Sequence, residues 1–265
     1  MKKLESIQTV FESIENSNGN FTKHFHDTYA IGITNSGLFK SITSNESCLS
    51  YQNSTRIVNP GEVHHGDSKC WNYTNFYPKV QLLVDLYEQM FFEKKIPFFR
   101  EHVVEDIHLV KLLYVFFQSV YTYSDKMLIE TNMITILSYI IQNYTDHTKK
   151  YLPMFNDQKI IKNSIEYIND SLEYNLSLDE LANNSHLSKY HFLRVFKKSV
   201  GLTPHQYILT QRVDKAKDLV LNGATLSDAG LEVGFNDQSH FIRIFRKMHG
   251  YSPKELLKKN NFILH

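Results

Sequence analysis

Cysteine is nearly missing from this chain: Cys48 and Cys70 are the only two in 265 residues. They lack the paired spacing of a zinc cluster and are too few for a disulfide framework, so a small stapled fold is excluded and a reducing, cytoplasmic setting is expected. Long apolar runs are missing as well. Nowhere do about 18 apolar residues follow one another, the length that a membrane-spanning helix needs. The opening Met1-Lys2-Lys3-Leu4-Glu5-Ser6 carries acid early, with no stretch of signal-peptide length behind it. A soluble, unexported protein with no membrane partner is the expectation. Charge of one sign is not in excess either, since 29 basic residues face 28 acidic ones. The balance is uneven along the chain, however: residues 1–158 hold 14 basic and 17 acidic side chains, and residues 159–265 hold 15 and 11. The second part is net basic, which suits a polyanionic partner.

What is present has two textures, and the length suits two domains of roughly 100 to 150 residues. From Phe21 to Pro78 come short β-rich runs, Tyr29 to Thr34, Leu38 to Thr43, Arg56 to Val58 and Trp71 to Tyr77. They are separated by the turn sequences Asn35-Ser36-Gly37, Asn59-Pro60-Gly61 and His65-Gly66-Asp67. A small antiparallel barrel or sandwich is predicted there. Beyond Pro97, Leu109, Leu113, Phe116 and Val120, then Ile129, Met133, Ile136 with Leu137, and Ile140 recur at helical spacing. Two amphipathic helices follow from that period. The polar stretch from Asp146 through Pro153 to Asp157 loses it and reads as a linker. The fold class expected is therefore α+β: residues 1–155 form a β-barrel with amphipathic helices, and residues 156–265 form an all-α domain.

An internal repeat dominates the second part. His191-Phe-Leu-Arg-Val-Phe-Lys-Lys-Ser-Val-Gly-Leu-Thr-Pro204 returns as His240-Phe-Ile-Arg-Ile-Phe-Arg-Lys-Met-His-Gly-Tyr-Ser-Pro253, displaced by 49 residues. A short segment with a small residue, Ala182 or Ala229, precedes each copy. A small residue lets a second helix cross closely over the first, which a helix-turn-helix requires. In the first copy Phe192, Val195 and Phe196 share one helical face, leaving Tyr190, Leu193, Arg194 and Lys197 outward. In the second, Phe241, Ile244 and Phe245 leave Gln238, Ser239, Ile242, Arg243 and Arg246 outward. Gly201 and Gly250, each followed by a proline three residues on, read as caps and stop signals.

With these residues in view, the segment from Ile160 to Leu257 resembles the AraC/XylS family of bacterial regulators. Gly234 to Pro253 is similar to that family's signature almost residue for residue, and Leu187-Ser188 with Tyr190 to Phe196 is similar to its first recognition helix. The resemblance implies two helix-turn-helix units joined by a linker helix, here Pro204 to Leu221, addressing two successive major-groove faces about 34 Å apart. By family position, Tyr190, Leu193 and Arg194, with Gln238, Ser239, Ile242 and Arg243, would meet base edges. Arg and Gln make bidentate bonds to guanine and adenine, and Leu and Ile meet thymine methyls. Lys189, Lys197, Lys198, Arg246 and Lys247 would meet phosphate, which supplies affinity without reading sequence. An arginine at the edge of a core can equally be fixed in an internal ion pair. His191 and His240 read as packing or phosphate-facing residues.

The amino-terminal part resembles the cupin-type sensor attached to many such regulators, through His24-Phe-His26-Asp-Thr-Tyr29-Ala-Ile-Gly32 and the later Asn59-Pro-Gly-Glu-Val-His64. Cupin enzymes ligate metal with His-x-His, a glutamate shortly after and a later histidine. Here Tyr29 and Ala30 stand where that glutamate would be; a set of two or three histidines could still hold a divalent metal, but no metal or other cofactor is expected and no catalytic residue is assigned. His24, His26, Tyr29, Glu62, His64, Trp71 and Tyr73 are the candidate contacts for a small organic effector, with structural hydrogen bonding as the plainer role. The two amphipathic helices are apolar over more than one stripe, which suits a homodimer.

The reading is a non-enzymatic, effector-responsive regulator with double-stranded DNA, a small molecule and RNA polymerase as partners. A metal-dependent cupin enzyme fused to a DNA-binding domain and an effector-free regulator stay open beside it. The part from Lys159 onward is expected to fold and bind DNA alone.

Overall fold

The computed structural model describes residues 9–43, 46–122, 126–148, 159–257 and 262–264. Five strands come first, β1 (Thr9–His24), β2 (Ala30–Ile42), β3 (Ser47–Tyr51), β4 (Thr55–Val58) and β5 (His64–Tyr77). They are followed by α1 (Val80–Phe91), the short β6 (Val103–Val104), α2 (Ile107–Tyr121) and α3 (Lys126–Tyr144). The second part is helical: α4 (Lys159–Asp170), α5 (Leu178–Asn184), α6 (Lys189–Val200), α7 (Pro204–Leu221), α8 (Leu226–Glu232), α9 (Gln238–His249) and α10 (Pro253–Leu256). A last strand, β7 (Phe262–Leu264), returns to the amino-terminal sheet.

The strands form a seven-stranded antiparallel sheet of order β6-β4-β2-β5-β1-β7, with β3 on the far part of β2. Side chains alternate across a strand, so the register divides the sheet into two faces. Phe11 lies opposite Phe76, and Ile31 opposite Phe76 from the other side. These residues, with Ile33 and Tyr29, pack under Leu113, Phe116, Met133 and Leu137 of α2 and α3. The opposite face carries Glu12, Ile14, Gly32, Thr34, Trp71, Tyr73 and Tyr77. On it Ile14, Trp71 and Tyr73 share a core with Val213 of α7 and with Phe241, Phe245 and Leu256 of α9 and α10. The sheet is thus a middle layer between its own helices and the helices of the second part. Gly32 is required by close approach within the sheet, since a Cβ there would stand 1.8 Å from Asn75 Oδ1.

The sheet is longer than the sequence suggested. β1 starts at Thr9 and not Phe21, because Glu12 breaks the apolar alternation and yet is buried, and β3 carries little apolar signal. Helix α1 was also unexpected, although Leu83, Val84, Leu86 and Tyr87 bury one face of it. The two predicted helices appear as α2 and α3. Of the expected linker, residues 149–158 lie outside the described residues, and with them the boundary between 155 and 156.

Both helix-turn-helix units follow from local chemistry. The Ser188 and Asp237 side chains accept from the His191 and His240 amides at the starts of α6 and α9. Gly201 and Gly250, at φ of 78° and 77°, end the two helices in the left-handed conformation that glycine adopts without strain. Ala182 and Ala229 are buried at the crossings of α5 on α6 and α8 on α9. Pro204 opens α7 inside a capping box of Thr203 and Gln206.

Candidate functional site

Each recognition helix buries its aromatics and presents its charges. On α6, Phe192 and Phe196 are fully buried, Leu193 is half-buried, and Arg194, Lys197 and Lys198 are exposed. On α9, Phe241 and Phe245 are buried, Ile242 is half-buried, and Gln238, Ser239, Arg243, Arg246 and Lys247 are exposed. Val195 and Ile244, read as core, are half-buried at the edge of it. Lys189 forms a surface ion pair with Asp179 at 2.6 Å, a partner that phosphate would have to replace. The side chain of Tyr190 lies outside the described residues. Asn18 and Asn20 of β1 border the same depression as Ser239, Ile242, Arg243, Arg246 and Lys247. The Thr22 hydroxyl donates to the Lys247 carbonyl at 3.2 Å.

The end of β1 and the residues after it run between the two units. Phe21 packs edge-on against Phe39 and Trp71 beneath the second unit. Its ring comes so close to Gly250 that a Cβ there would lie 2.3 Å away. Phe25, four residues on, belongs to the core of the first unit and stacks on Tyr207 at 5.4 Å. A buried charged group fills the same junction. Lys217 of α7 meets Glu12 of β1 at 2.6 Å, and the Tyr73 hydroxyl donates to the same carboxylate at 2.8 Å. Burial pushes Glu12 up, but the Lys217 ammonium and the hydrogen bonds outweigh it and hold the carboxyl below its usual range. Arg56 lies over the Phe39 and Trp71 rings at 4.6 and 5.2 Å.

Around the end of β1 and the start of β5 lies a histidine group. One ring nitrogen each from His24, His26 and His64 falls within 4.8 Å of the others, and all three residues are buried. His249, at the end of α9, packs against them with ring centroids 6.1 Å from His24 and 6.4 Å from His26. Burial, opposed by a hydrogen bond to the Thr22 carbonyl, pushes His24 down to about 4. Burial first, then neighbouring cationic and histidine side chains, pushes His26, His64 and His249 down as well. At neutral pH these are neutral imidazoles.

A cavity of about 250 Å³ opens beside His26, between the sheet and α7. The sheet side gives Thr9, Val10, Asp27, Thr28, Tyr77 and Lys79, and α7 with its C-cap gives Asp214, Lys217, Asp218 and Asn222. Burial raises the Asp214 carboxyl well above the usual range, and the nearby Asp27 charge adds to it. Asp27 and Asp218 are also raised, in each case chiefly by burial.

Of the candidates for effector contact, His24, His26 and His64 come together, and His26 also lines the cavity. Trp71 stacks between Phe39 and Tyr73 at 4.2 and 3.9 Å, so these aromatics fill the sheet face instead of lining an open lumen. Tyr29 does not join the group. It lies on the helix-covered face, where its hydroxyl donates to the Pro97 carbonyl at 2.6 Å. Glu62 turns its carboxylate to His102 at 2.9 Å and to the Asn59 amide, and only its carbonyl reaches His64. Glu12, Asp27, Asp214, Lys217 and His249 escaped the sequence reading. A lysine at 217 within the apolar stripe Val213, Ala216 and Val220 was a signal, as was His249, which replaces Val200 of the other repeat copy.

Comparison with known proteins agrees with this arrangement. Residues 10–137 match the AraC-like ligand-binding domain and residues 181–259 match a helix-turn-helix domain. The HTH-type transcriptional regulator YbfI of Bacillus subtilis (strain 168) is 28% identical over 232 residues, 83% of this chain and 81% of its own length. The probable transcriptional regulator LumQ of Photobacterium leiognathi is 34% identical over 110 residues, 40% of this chain and 44% of that one. Among solved structures, an apo lysine-to-alanine variant of ToxT from Vibrio cholerae superposes with a TM-score of 0.66 at 14% identity, covering 96% of this chain and 97% of that one. Wild-type ToxT with an unsaturated fatty acid bound superposes with a TM-score of 0.57 at 14% identity, covering 97% of each chain. Among the described residues no helix is long and apolar enough to cross a membrane. The chain belongs to the AraC/XylS family, as a DNA-binding regulator in which an AraC-like ligand-binding domain precedes the helix-turn-helix domain.

Proposed function

We propose that this chain is a cytoplasmic, non-enzymatic transcription regulator that works as a homodimer and takes its effector in the cavity between the sheet and α7. The observation that carries this reading is the shared core: the sheet face opposite α2 and α3 is closed by the second DNA-reading unit. A molecule entering the cavity touches both parts at once, so it shifts their relative population by its differential affinity for the two arrangements. Base edges fall to Tyr190, Leu193, Arg194, Gln238, Ser239, Ile242 and Arg243. Phosphate falls to Lys189, Lys197, Lys198, Arg246 and Lys247.

The lining favours an effector bearing an amine. Lys217 is already matched by Glu12, which leaves Asp27, Asp214 and Asp218 at the cavity beside Lys79; burial raises all three carboxyls, and an amine beside them would favour their ionised form. A structure of ToxT holds an unsaturated fatty acid; the acidic lining here suits an amino acid or other small amine better than a simple carboxylate. His26 and Tyr77 take part, whereas Tyr29, Glu62, Trp71 and Tyr73 stand apart. Ile107, Tyr114 and Val115 form an exposed stripe on α2 that a second copy would cover, and RNA polymerase is the further partner of a regulator seated at a promoter. An enzymatic reading has no support from Glu62, whose carboxylate is engaged by His102 and Asn59. The experiment is thermal shift on the full chain with small amines, amino acids and aliphatic acids. Amine-bearing compounds should raise Tm in the wild type and lose the effect in Asp214→Asn. A rise with simple carboxylates alone, or with none of the three classes, would overturn the assignment of the cavity.

A further inference from the structure

We infer that His24, His26 and His64, completed by His249 from the last turn of α9, form a site for a divalent transition-metal ion of the zinc class that ties the second DNA-reading unit to the sensor sheet. The three sheet-side histidines come from one rim of the sheet: His24 ends β1, His64 begins β5, and the two residues are paired in register. Their ring nitrogens already lie within 4.8 Å of one another, and a tetrahedral ion with bonds of about 2.0 to 2.1 Å would draw them to about 3.4 Å apart, a small movement of three side chains. The outer ring nitrogens are fixed as ligating histidines require. The His24 Nδ1–H donates to the Thr22 carbonyl at 2.8 Å and the His64 Nδ1–H to the Glu62 carbonyl at 2.9 Å. A carbonyl accepts only, so each hydrogen bond sets the tautomer and leaves the Nε2 lone pair facing inward.

That inner side is not otherwise satisfied. His64 Nε2 and His249 Nε2 are both buried without a hydrogen-bond partner. A buried ring nitrogen without a partner is destabilising, and a structural hydrogen-bonding role leaves both unsatisfied. A metal satisfies both. Two cations face the group, Arg56 and Lys217, with His65 nearby, and the Lys217 charge is matched by Glu12. Imidazole donors favour zinc and its neighbours over magnesium or calcium. The carboxylate that cupin enzymes place in such a set is missing, and His249 of the DNA-reading part, with ring centroids 6.1 and 6.4 Å from those of His24 and His26, would turn inward to take the fourth position. His249 lies one residue before Gly250, which packs on Phe21, and within the turn whose Lys247 carbonyl accepts from Thr22. Metal at this point therefore acts on the seat of α9.

The test uses the full chain freed of metal by chelation and titrated with Co²⁺ and then Zn²⁺, followed by calorimetry, visible absorption and amide exchange of α9. The wild type should bind one Co²⁺ per chain, with bands displaced by Zn²⁺, and metal should slow exchange in α9. His26→Gln and His64→Gln should each weaken binding about 100-fold, and His249→Gln about 10-fold with altered Co²⁺ bands and no slowing in α9. His205→Gln, an exposed control, should behave as wild type. Absence of stoichiometric binding, or binding indifferent to both sheet-side substitutions, overturns the site. Unchanged affinity, bands and exchange in His249→Gln overturn the link to α9. If His64→Gln fails to fold by circular dichroism, His26→Gln and the Zn²⁺-dependent rise in wild-type Tm carry the same decision.

Discussion

Lys217 lies in the middle of α7, where a helix that faces solvent would carry it harmlessly, and is instead buried against Glu12 across the junction. Removing one partner of such a pair leaves the other charged and desolvated, which costs about 3 to 5 kcal/mol. Lys217→Met should therefore lower unfolding stability by about that amount in denaturant titration, and Glu12→Leu added to it should restore most of the loss. A double variant no more stable than the single would show that the pair is not what holds the junction. At the DNA face the distinction is between reading and anchoring. Arg243→Ala should weaken specific binding by about 1 to 3 kcal/mol and hardly change binding to random duplex, whereas Lys198→Ala should lower both alike. Equal effects of the two on random DNA would reverse these assignments.

At the scale of elements, the two recognition helices end in the same way but under different constraints. An alanine in place of either glycine adopts the left-handed conformation at a cost of about 1 to 2 kcal/mol. Gly201 has only the flexible Val63 side chain near, whereas Gly250 is packed on the Phe21 ring. Gly250→Ala should lose clearly more stability than Gly201→Ala, and equal losses would mean that Phe21 is not seated there. Helix α2 offers a second test. Asp106 caps it through the His108 and Leu109 amides and accepts from Tyr139 and Tyr144. Burial raises this carboxyl, but the two tyrosine hydroxyls and the amides outweigh it and hold it at about 2, below its ordinary 3.8. The folded state thus prefers the ionised form, so its stabilisation is complete above about pH 4 and disappears as pH falls through about 2. Asp106→Ala should cost about 1 to 2 kcal/mol at pH 7 and flatten that acid limb. A variant with an unchanged acid profile would contradict the role.

These elements differ in how far the sequence disclosed them. The repeat of His191 to Pro204 at His240 to Pro253, with its caps and glycines, displayed both helix-turn-helix units because their determinants are local. The start of β1 was hidden by Glu12, whose burial depends on a lysine 205 residues away. For the same reason His24, His26 and His64 were visible as a motif, but His249 was not. Tyr29 and Glu62 belonged to the motif by spacing, and strand parity and the His102 contact carried them elsewhere.

Over the whole molecule the sheet lies between α1 to α3 and the DNA-reading helices, and the second unit draws part of its core from Ile14, Phe21, Trp71 and Tyr73. A fragment beginning at Lys159 would expose the apolar side of that core, so it should melt well below the full chain, contrary to independent folding of the two parts. Trp71, the one tryptophan, sits in the shared core and reports on it. Its emission and the far-ultraviolet signal of the helices should change in one coincident transition in denaturant. Separated transitions would mean that the two parts unfold independently.

On the proposed reading one chain addresses two successive major-groove faces through α6 and α9. Selection of duplexes by the full chain from a random pool should then enrich a site of two short elements about one helical turn apart, about 10 to 10.5 base pairs. Arg194→Ala should relax one element and Arg243→Ala the other. No enriched sequence, or both substitutions relaxing the same element, would contradict that reading.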